Sequence, residues 1–300
     1  MKRTTPEELN DRFGIAGRLM FAPGPGDLTV ARVSNDYAEA DICLLGAHLL
    51  SYCPWNEDDV LWVSEKAFYE PGKPIRGGIP VCWPWFALHP EDNDLPLHGF
   101  VRTRMWRVSE TNDVDDRTLL TLTTSDTGET HELWPHEYRL DLTVSVGPEL
   151  KVTLAVSNPG EEAFTYSGAL HSYFRVGDVR RIAIEGLEGC EYLDKTDGFA
   201  RKTQAGPVTI NDEVDRVYPN TGAECIIDDP VMERRIHVGK TGSLTTVVWN
   251  PWEAVARKLE DFGDDEYARM VCVETANAHG DEVEVAPGAE YRVSSVITLE

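Results

Sequence analysis

The sequence predicts an all-β protein, a single large β-sandwich with one or two short helices, and three observations carry that expectation. Apolar and polar residues alternate at period two through much of the chain, turn signals recur about every ten residues, and helix signals are few. The chain has 300 residues, enough for two average domains, but no repeat, low-complexity tract or Ser/Gly linker divides it. One domain over 1–300 is therefore expected, with 1–24 as a helical lead-in.

The lead-in contains the clearest helix. In "TTPEELNDRF", Thr5 suits the N-cap, Pro6 the first helical position, and Glu7 and Glu8 the first turn. A second short helix or an irregular excursion is expected over 257–270. Strands account for the rest. Leu150, Val152, Leu154 and Val156 alternate up to a turn at Asn158-Pro159-Gly160, after which a second strand reads as the other arm of a hairpin. The last twenty residues repeat that design around Pro287-Gly288. "RTLLTLTTSD", "YRLDLTVSVG", "SLTTVVWN" and "MVCVETAN" add further strands.

Composition removes several function classes. With 28 basic against 52 acidic residues the net charge is −24, which disfavours nucleic acid and anionic membranes as partners. No run approaches the roughly 18–20 apolar residues of a membrane helix. The first seventeen residues lack the apolar stretch of a signal peptide, so a cytoplasmic protein is expected. The six cysteines are scattered without a C-x-x-C pair, and read as reduced, mostly buried groups rather than zinc ligands. Phosphate loops, dinucleotide fingerprints, nucleophile elbows and H-E-x-x-H are all missing. Chemistry without metal or cofactor is what remains.

Four stretches carry candidate chemistry. "EPGKPIRGGIPVCWPWFALHP" is too apolar for a surface loop and too rich in proline for a central strand, so it should cross a sheet edge, with Gly77-Gly78 turning tightly beside Arg76. Its Trp83, Trp85 and Phe86 either form flat walls for sugar C–H faces or plug one end of the sandwich. "LPLHGFVRTRMWRV" gathers His98, Arg102, Arg104 and Arg107 in an otherwise acidic chain. Read as a strand, it puts Arg102 and Arg104 on one face and Arg107 on the other. Singly these arginines suit surface ion pairs; together with Arg76 they suggest an anion site.

"HSYFRVGDV" sets His171 in an apolar, aromatic run, and "VCVETAN" sets Glu274 on what reads as a buried strand. The two could face each other across a pocket, form a structural ion pair, or be unrelated. Asp215 could accept hydrogen bonds from sugar hydroxyls, and Trp249 and Asn250 end an apolar strand where side chains often line a rim. His89, His131, His136, His237 and His279 have no distinctive context.

Taken in order, "KPIRGGIPVCWPWF", "LHGFVRTRMWRV", "ALHSYFRVGDV", "DEVDRVYPN" and "VCVETAN" resemble the hexose-6-phosphate mutarotases, within the wider aldose 1-epimerase group. The resemblance runs from about residue 25 to the end. R-G-G-I-P followed by H-G-F-x-R is specific for the hexose-phosphate branch. It implies a galactose-mutarotase-like β-supersandwich that interconverts the α and β anomers of a hexose 6-phosphate; a small-molecule sugar phosphate is the expected partner and a monomer the expected state. It further implies His171 as general acid, Glu274 as general base, and Arg76, Arg102 and Asp215 as substrate contacts, with His98 lining the pocket. Where some relatives carry glutamine before that histidine, this chain has Leu97, a departure that touches one hydrogen bond to the sugar and not the reaction. Arg104 is added from strand geometry and Trp249 from its place at a strand end. The rivals are a mutarotase of free aldoses such as galactose and a non-catalytic carbohydrate-binding sandwich. A glycoside hydrolase fits less well, because it needs two positioned carboxyl groups.

Overall fold

The computed structural model describes residues 4–300. The N-terminal helix is present as Pro6–Phe13, and its start is set as the sequence predicts. The Thr5 hydroxyl accepts from the Glu8 amide, and the Glu8 carboxylate accepts in return from the Thr5 amide, closing a capping box.

Antiparallel strands make up the body. A four-stranded sheet (Leu19–Pro23, Thr29–Ser34, Ala38–Cys43, His48–Pro54) joins two eight-stranded sheets. The back sheet runs, in spatial order, Ala183–Glu185, Cys225–Asp229, Arg234–Thr241, Glu290–Leu299, Leu150–Ser157, Arg139–Val146, Arg117–Ser125 and Arg107–Val114. The front sheet runs Ala200–Thr203, Glu191–Asp194, Val214–Tyr218, Thr245–Asn250, Met270–Asn277, Gly168–Leu170 and Val81–Cys82, with Tyr173–Arg175 also paired to Met270–Asn277. Leu120, Leu142 and Leu154 of the back sheet meet Val248, Val271 and Val273 of the front sheet in one apolar core. Along Met270–Asn277 every residue is buried, because loops cover the outer face as the core covers the inner one. Period two then puts Cys272 and Glu274 on the outer face.

Two expected hairpins do not form. The turns at 158–160 and 287–288 exist, but Phe164–Tyr166 pairs with Val283–Val285 in a separate ribbon, while Leu150–Ser157 pairs with Glu290–Leu299. The turns dock on each other instead. The Asn158 amide donates to the Ala289 carbonyl, the Gly288 amide donates to the Asn158 carbonyl, and the Asn158 side chain donates to the Val285 carbonyl. A helix at Gly128–Leu133, capped by Thr127, carries no strong sequence signal. The 257–270 segment is mostly irregular, with a 3₁₀ turn at Glu266–Arg269, and the short helix Trp252–Ala256 ends just before it.

"IRGGIPVCWPWF" crosses the front-sheet edge as expected, contributing only Val81–Cys82 to the ladder. Both glycines of its turn are required. Gly77 and Gly78 have φ of 111° and 61°, and a Cβ would lie 2.3 Å from the Trp62 carbonyl and 2.1 Å from the Leu49 carbonyl respectively. Trp83 and Trp85 belong to the core rather than to a sugar-facing wall. Of that trio only Phe86 turns toward the candidate site, its ring 4.9 Å from that of His98.

Candidate functional site

Sheet register brings His171 and Glu274 together. Leu170 pairs with Thr275 and Tyr173 with Cys272, so the intervening positions set His171 opposite Glu274. At this point the first strand leaves the ladder, and the His171 amide donates to the Pro80 carbonyl. The His171 Nε2 lies 3.3 Å from the Glu274 Oε1, and the two residues are 7% and 2% exposed. His171 Nδ1 and Glu274 Oε2 have no partner within the protein. Buried polar atoms are normally satisfied, so these two mark groups whose hydrogen-bonding capacity the fold itself leaves unused.

Burial depresses the imidazole, and the charges of Arg102, Arg76 and Lys195 depress it further. Burial raises the Glu274 carboxyl, Asp215 adds to that, and Lys195 opposes it. In the unliganded molecule both effects favour the neutral forms.

The same register extends along the outer face. Glu274 faces Val247, which faces Val217; Cys272 faces Trp249, which faces Asp215. Asp215 and Trp249 therefore share the face of Glu274. The Trp249 ring stands edge-on to His171 at 6.3 Å and to Tyr173 at 6.0 Å. Asp215 holds Lys195 at 2.7 Å.

Arg102 and Arg76 complete the charged surroundings of His171. Arg76 donates from Nε to Asp261 and from Nη1 to the Tyr173 hydroxyl, at 3.2 and 3.1 Å. Burial works against its charge, but Tyr173 and Asp261 outweigh it and raise its pKa. Arg102 is buried and donates from Nη2 to the Leu97 carbonyl at 2.7 Å, leaving Nε without a partner. His98 is held in place by a reciprocal pair: its amide donates to the Ala87 carbonyl, and its Nδ1 accepts from the Ala87 amide. Its neutral form therefore carries the proton on Nε2. The ring lies 5.5 Å from that of His171, and burial, then Arg102, keep it unprotonated.

Two expectations need correction. Residues 101–104 do not form a strand: Val101–Thr103 is a 3₁₀ turn, so Arg102 and Arg104 share no strand face. Arg102 turns inward, whereas Arg104 pairs with Glu129 at 3.1 Å and is not brought to the cluster; Arg107 is exposed. Asn250 does not line a rim either, because its amide is spent on the Tyr267 and Met270 carbonyls. Conversely, the sequence reading missed Tyr173, Asp261 and Lys195. Tyr173 stands two residues beyond His171, which on a strand is the same face, and that signal was available. Asp261 and Lys195 lie in segments without regular pattern. Two grooves elsewhere, of about 700 Å³ beside Trp62 and Glu266 and about 660 Å³ beside Arg32 and Asp59, set no imidazole against a carboxylate.

A β-sandwich that sets a buried imidazole and carboxyl side by side, with three cations acting on the imidazole, suits proton transfer at a sugar acetal. The model of the family described as "Aldose 1-epimerase" matches residues 29–298, and the chain belongs to that family. It is an isomerase of the epimerase class. A protein of Escherichia coli K12 provisionally named glucose-6-phosphate 1-epimerase is 38% identical over 253 residues, covering 84% of each chain. One from Cenchrus ciliaris with the same provisional name is 36% identical over 265 residues, covering 84% of this chain and 79% of that one. Among solved structures, YeaD of Salmonella typhimurium, provisionally described as a mutarotase, superposes with a TM-score of 0.89 at 32% identity, covering 96% of this chain and 95% of that one. Galactose 1-epimerase of Lactobacillus acidophilus shares the fold at a TM-score of 0.73 and 13% identity, covering 94% and 98%. No helix among the described residues is long and apolar enough to cross a membrane.

Proposed function

We propose that this chain interconverts the α and β anomers of a hexose 6-phosphate of the glucose 6-phosphate type, with Glu274 as general base and His171 as general acid. The observation that supports this reading most is the cross-strand approach of His171 to Glu274, at 3.3 Å, with Arg76 and Arg102 close enough to bias the imidazole. Glu274 takes the proton of the anomeric hydroxyl while the His171 imidazolium gives one to the ring oxygen. The C1–ring oxygen bond breaks and the C1 carbonyl forms. Rotation about C1–C2 exposes the other carbonyl face. Reclosure returns the ring-oxygen proton to His171, and Glu274 gives its proton back to the anomeric oxygen. No oxidation state changes, and each group contributes about 10²–10⁴-fold.

The resting charges fit a substrate that completes the site. Burial first, then Arg102 and Arg76, suppress protonation of His171. A substrate phosphate bound by the two arginines offsets their share of that suppression and so favours the imidazolium needed as acid. Burial and Asp215 raise the Glu274 carboxyl, and Lys195 works against them toward the carboxylate needed as base. Arg76 and Arg102 are the proposed anion contacts, Asp215 and His98 hold sugar hydroxyls, and Trp249 walls one side. The proposal takes all 300 residues as one functional unit acting as a cytoplasmic monomer.

Exchange NMR of glucose 6-phosphate, corrected for spontaneous mutarotation, tests the assignment. His171→Gln and Glu274→Gln should each reduce exchange by about 10²-fold or more. Parent-like rates from either variant overturn the roles. Equal turnover of glucose and glucose 6-phosphate by the parent chain overturns the anion site in favour of a free-aldose mutarotase.

A further inference from the structure

Lys195 lies outside every motif that pointed to the site, yet its charge reaches the site's centre. It opens the 3₁₀ turn Lys195–Asp197 at the end of the front-sheet strand Glu191–Asp194, whose neighbour Val214–Tyr218 carries Asp215. The Lys195 Nζ sits 2.7 Å from Asp215 Oδ2, with the two side chains 24% and 17% exposed. The turn is pinned: the Asp194 carboxylate accepts from the Thr196 amide and hydroxyl and from Lys202 Nζ, and the chain leaves through Gly198 in the left-handed region. Such a turn aims its lysine at a fixed place.

Glu274 is surrounded by few charges. His171 and Tyr173 face it from the adjacent strand, Cys82 from the sheet edge and Cys272 from its own strand, while Asp215 and Lys195 act on it from across the sheet. Only the last two are an anion and a cation held against each other, and they push Glu274 in opposite directions. We propose that Lys195 is a positioning residue of this site, fixing Asp215 toward the sugar and cancelling that carboxylate's charge beside Glu274. The inference rests on Glu274 as the base.

The device has a signature that a purely structural ion pair lacks. One flank of the kcat/KM profile follows the ionisation of Glu274, and the carboxyl-carbon resonance of the labelled side chain identifies which. Lys195→Met leaves Asp215 uncompensated and should move that flank to higher pH by about one unit, a roughly tenfold change in the ionisation constant of Glu274. Asp215→Asn leaves the lysine uncompensated and should move it to lower pH, whatever it does to the height of the profile. The double variant should return the flank to within a few tenths of a unit of the parent, and Lys195→Arg should keep it there. A flank unmoved by Lys195→Met, or both single variants shifting it the same way, overturns the proposal. Glu274→Gln separates the two readings. If it retains exchange, the base is elsewhere and the proposed function fails; if it abolishes exchange while Lys195→Met leaves the flank in place, only the role of Lys195 fails.

Discussion

The imidazole of His171 lies flat on the ring of Tyr173, with centroids 4.8 Å apart and planes 13° from parallel, while the hydroxyl of the same tyrosine accepts from Arg76 Nη1 at 3.1 Å. One side chain thus supports the proposed acid with its face and the proposed anion contact with its edge. The two functions separate by substitution. Tyr173→Phe keeps the stack and removes the hydroxyl, so KM for glucose 6-phosphate should rise about fivefold, the worth of one ordinary hydrogen bond, with kcat within about twofold of the parent. Tyr173→Ala removes both, and kcat should fall as well. Steady-state exchange rates on both variants check this.

Asp261 holds Arg76 through Nε and Nη2, both at 3.2 Å. Removing one partner of a largely buried pair leaves a charge poorly solvated. Asp261→Ala should cost about 3 kcal/mol in urea unfolding and weaken binding of the phosphorylated sugar more than that of the free sugar. Equal weakening for both sugars would show that Arg76 does not contact the anion.

His48 is fully buried beneath the Gly77-Gly78 turn, its Nε2 2.7 Å from the Gly77 carbonyl, and burial lowers its pKa to about 4. Unfolded histidine titrates near 6.5, so as pH falls from there toward 4 the unfolded chain takes up a proton that the folded one refuses. Stability is full above about 6.5, falls through that window by about 3 kcal/mol from this residue, and levels off below it. His48→Gln can still donate to Gly77. Its unfolding free energy should be flatter by that amount between those pH values, read by denaturant titration at several pH values.

Asp59 shows the opposite sign. Its Oδ1 accepts from the Tyr52 and Leu61 amides, yet burial raises its pKa to about 6 against 3.8 for the free group. The folded state holds this proton more tightly than the unfolded one, so stability is lost as pH rises from about 4 to about 6. Asp59→Asn keeps an oxygen for both amides and removes the charge. It should stabilise the protein at neutral pH by about 1–2 kcal/mol, discounted for partial exposure, with the gain vanishing below about pH 4. Thermal melts at the two pH values test both parts.

Much of the architecture was legible because it is written in neighbouring residues. The Thr5 cap with Pro6 and Glu8 is a local pattern, and the helix at Pro6–Phe13 follows from it. The alternation at Leu150–Val156 and the unbroken burial of Met270–Asn277 likewise follow from side chains two positions apart. His171 and Glu274 were singled out from the sequence for the same reason, each being an ionisable group inside an apolar strand.

By itself the sequence determined which residues alternate, where strands stop, that Gly77-Gly78 must turn, and that a histidine and a glutamate stand where leucines would pack. Only the tertiary structure decided which strand meets which. Turns at Asn158 and Pro287 reverse the chain equally well whether the next strand returns to its predecessor or joins another ribbon, so local chemistry could not choose between them. The same holds at the site. Arg102 turns inward and Arg104 meets Glu129, while Asp261 and Lys195 are recruited from irregular segments, because long-range burial and pairing set where a flexible charged side chain goes. Register across the front sheet then sets His171 against Glu274, a hydrogen-bonding relationship between strands about a hundred residues apart that no local pattern encodes.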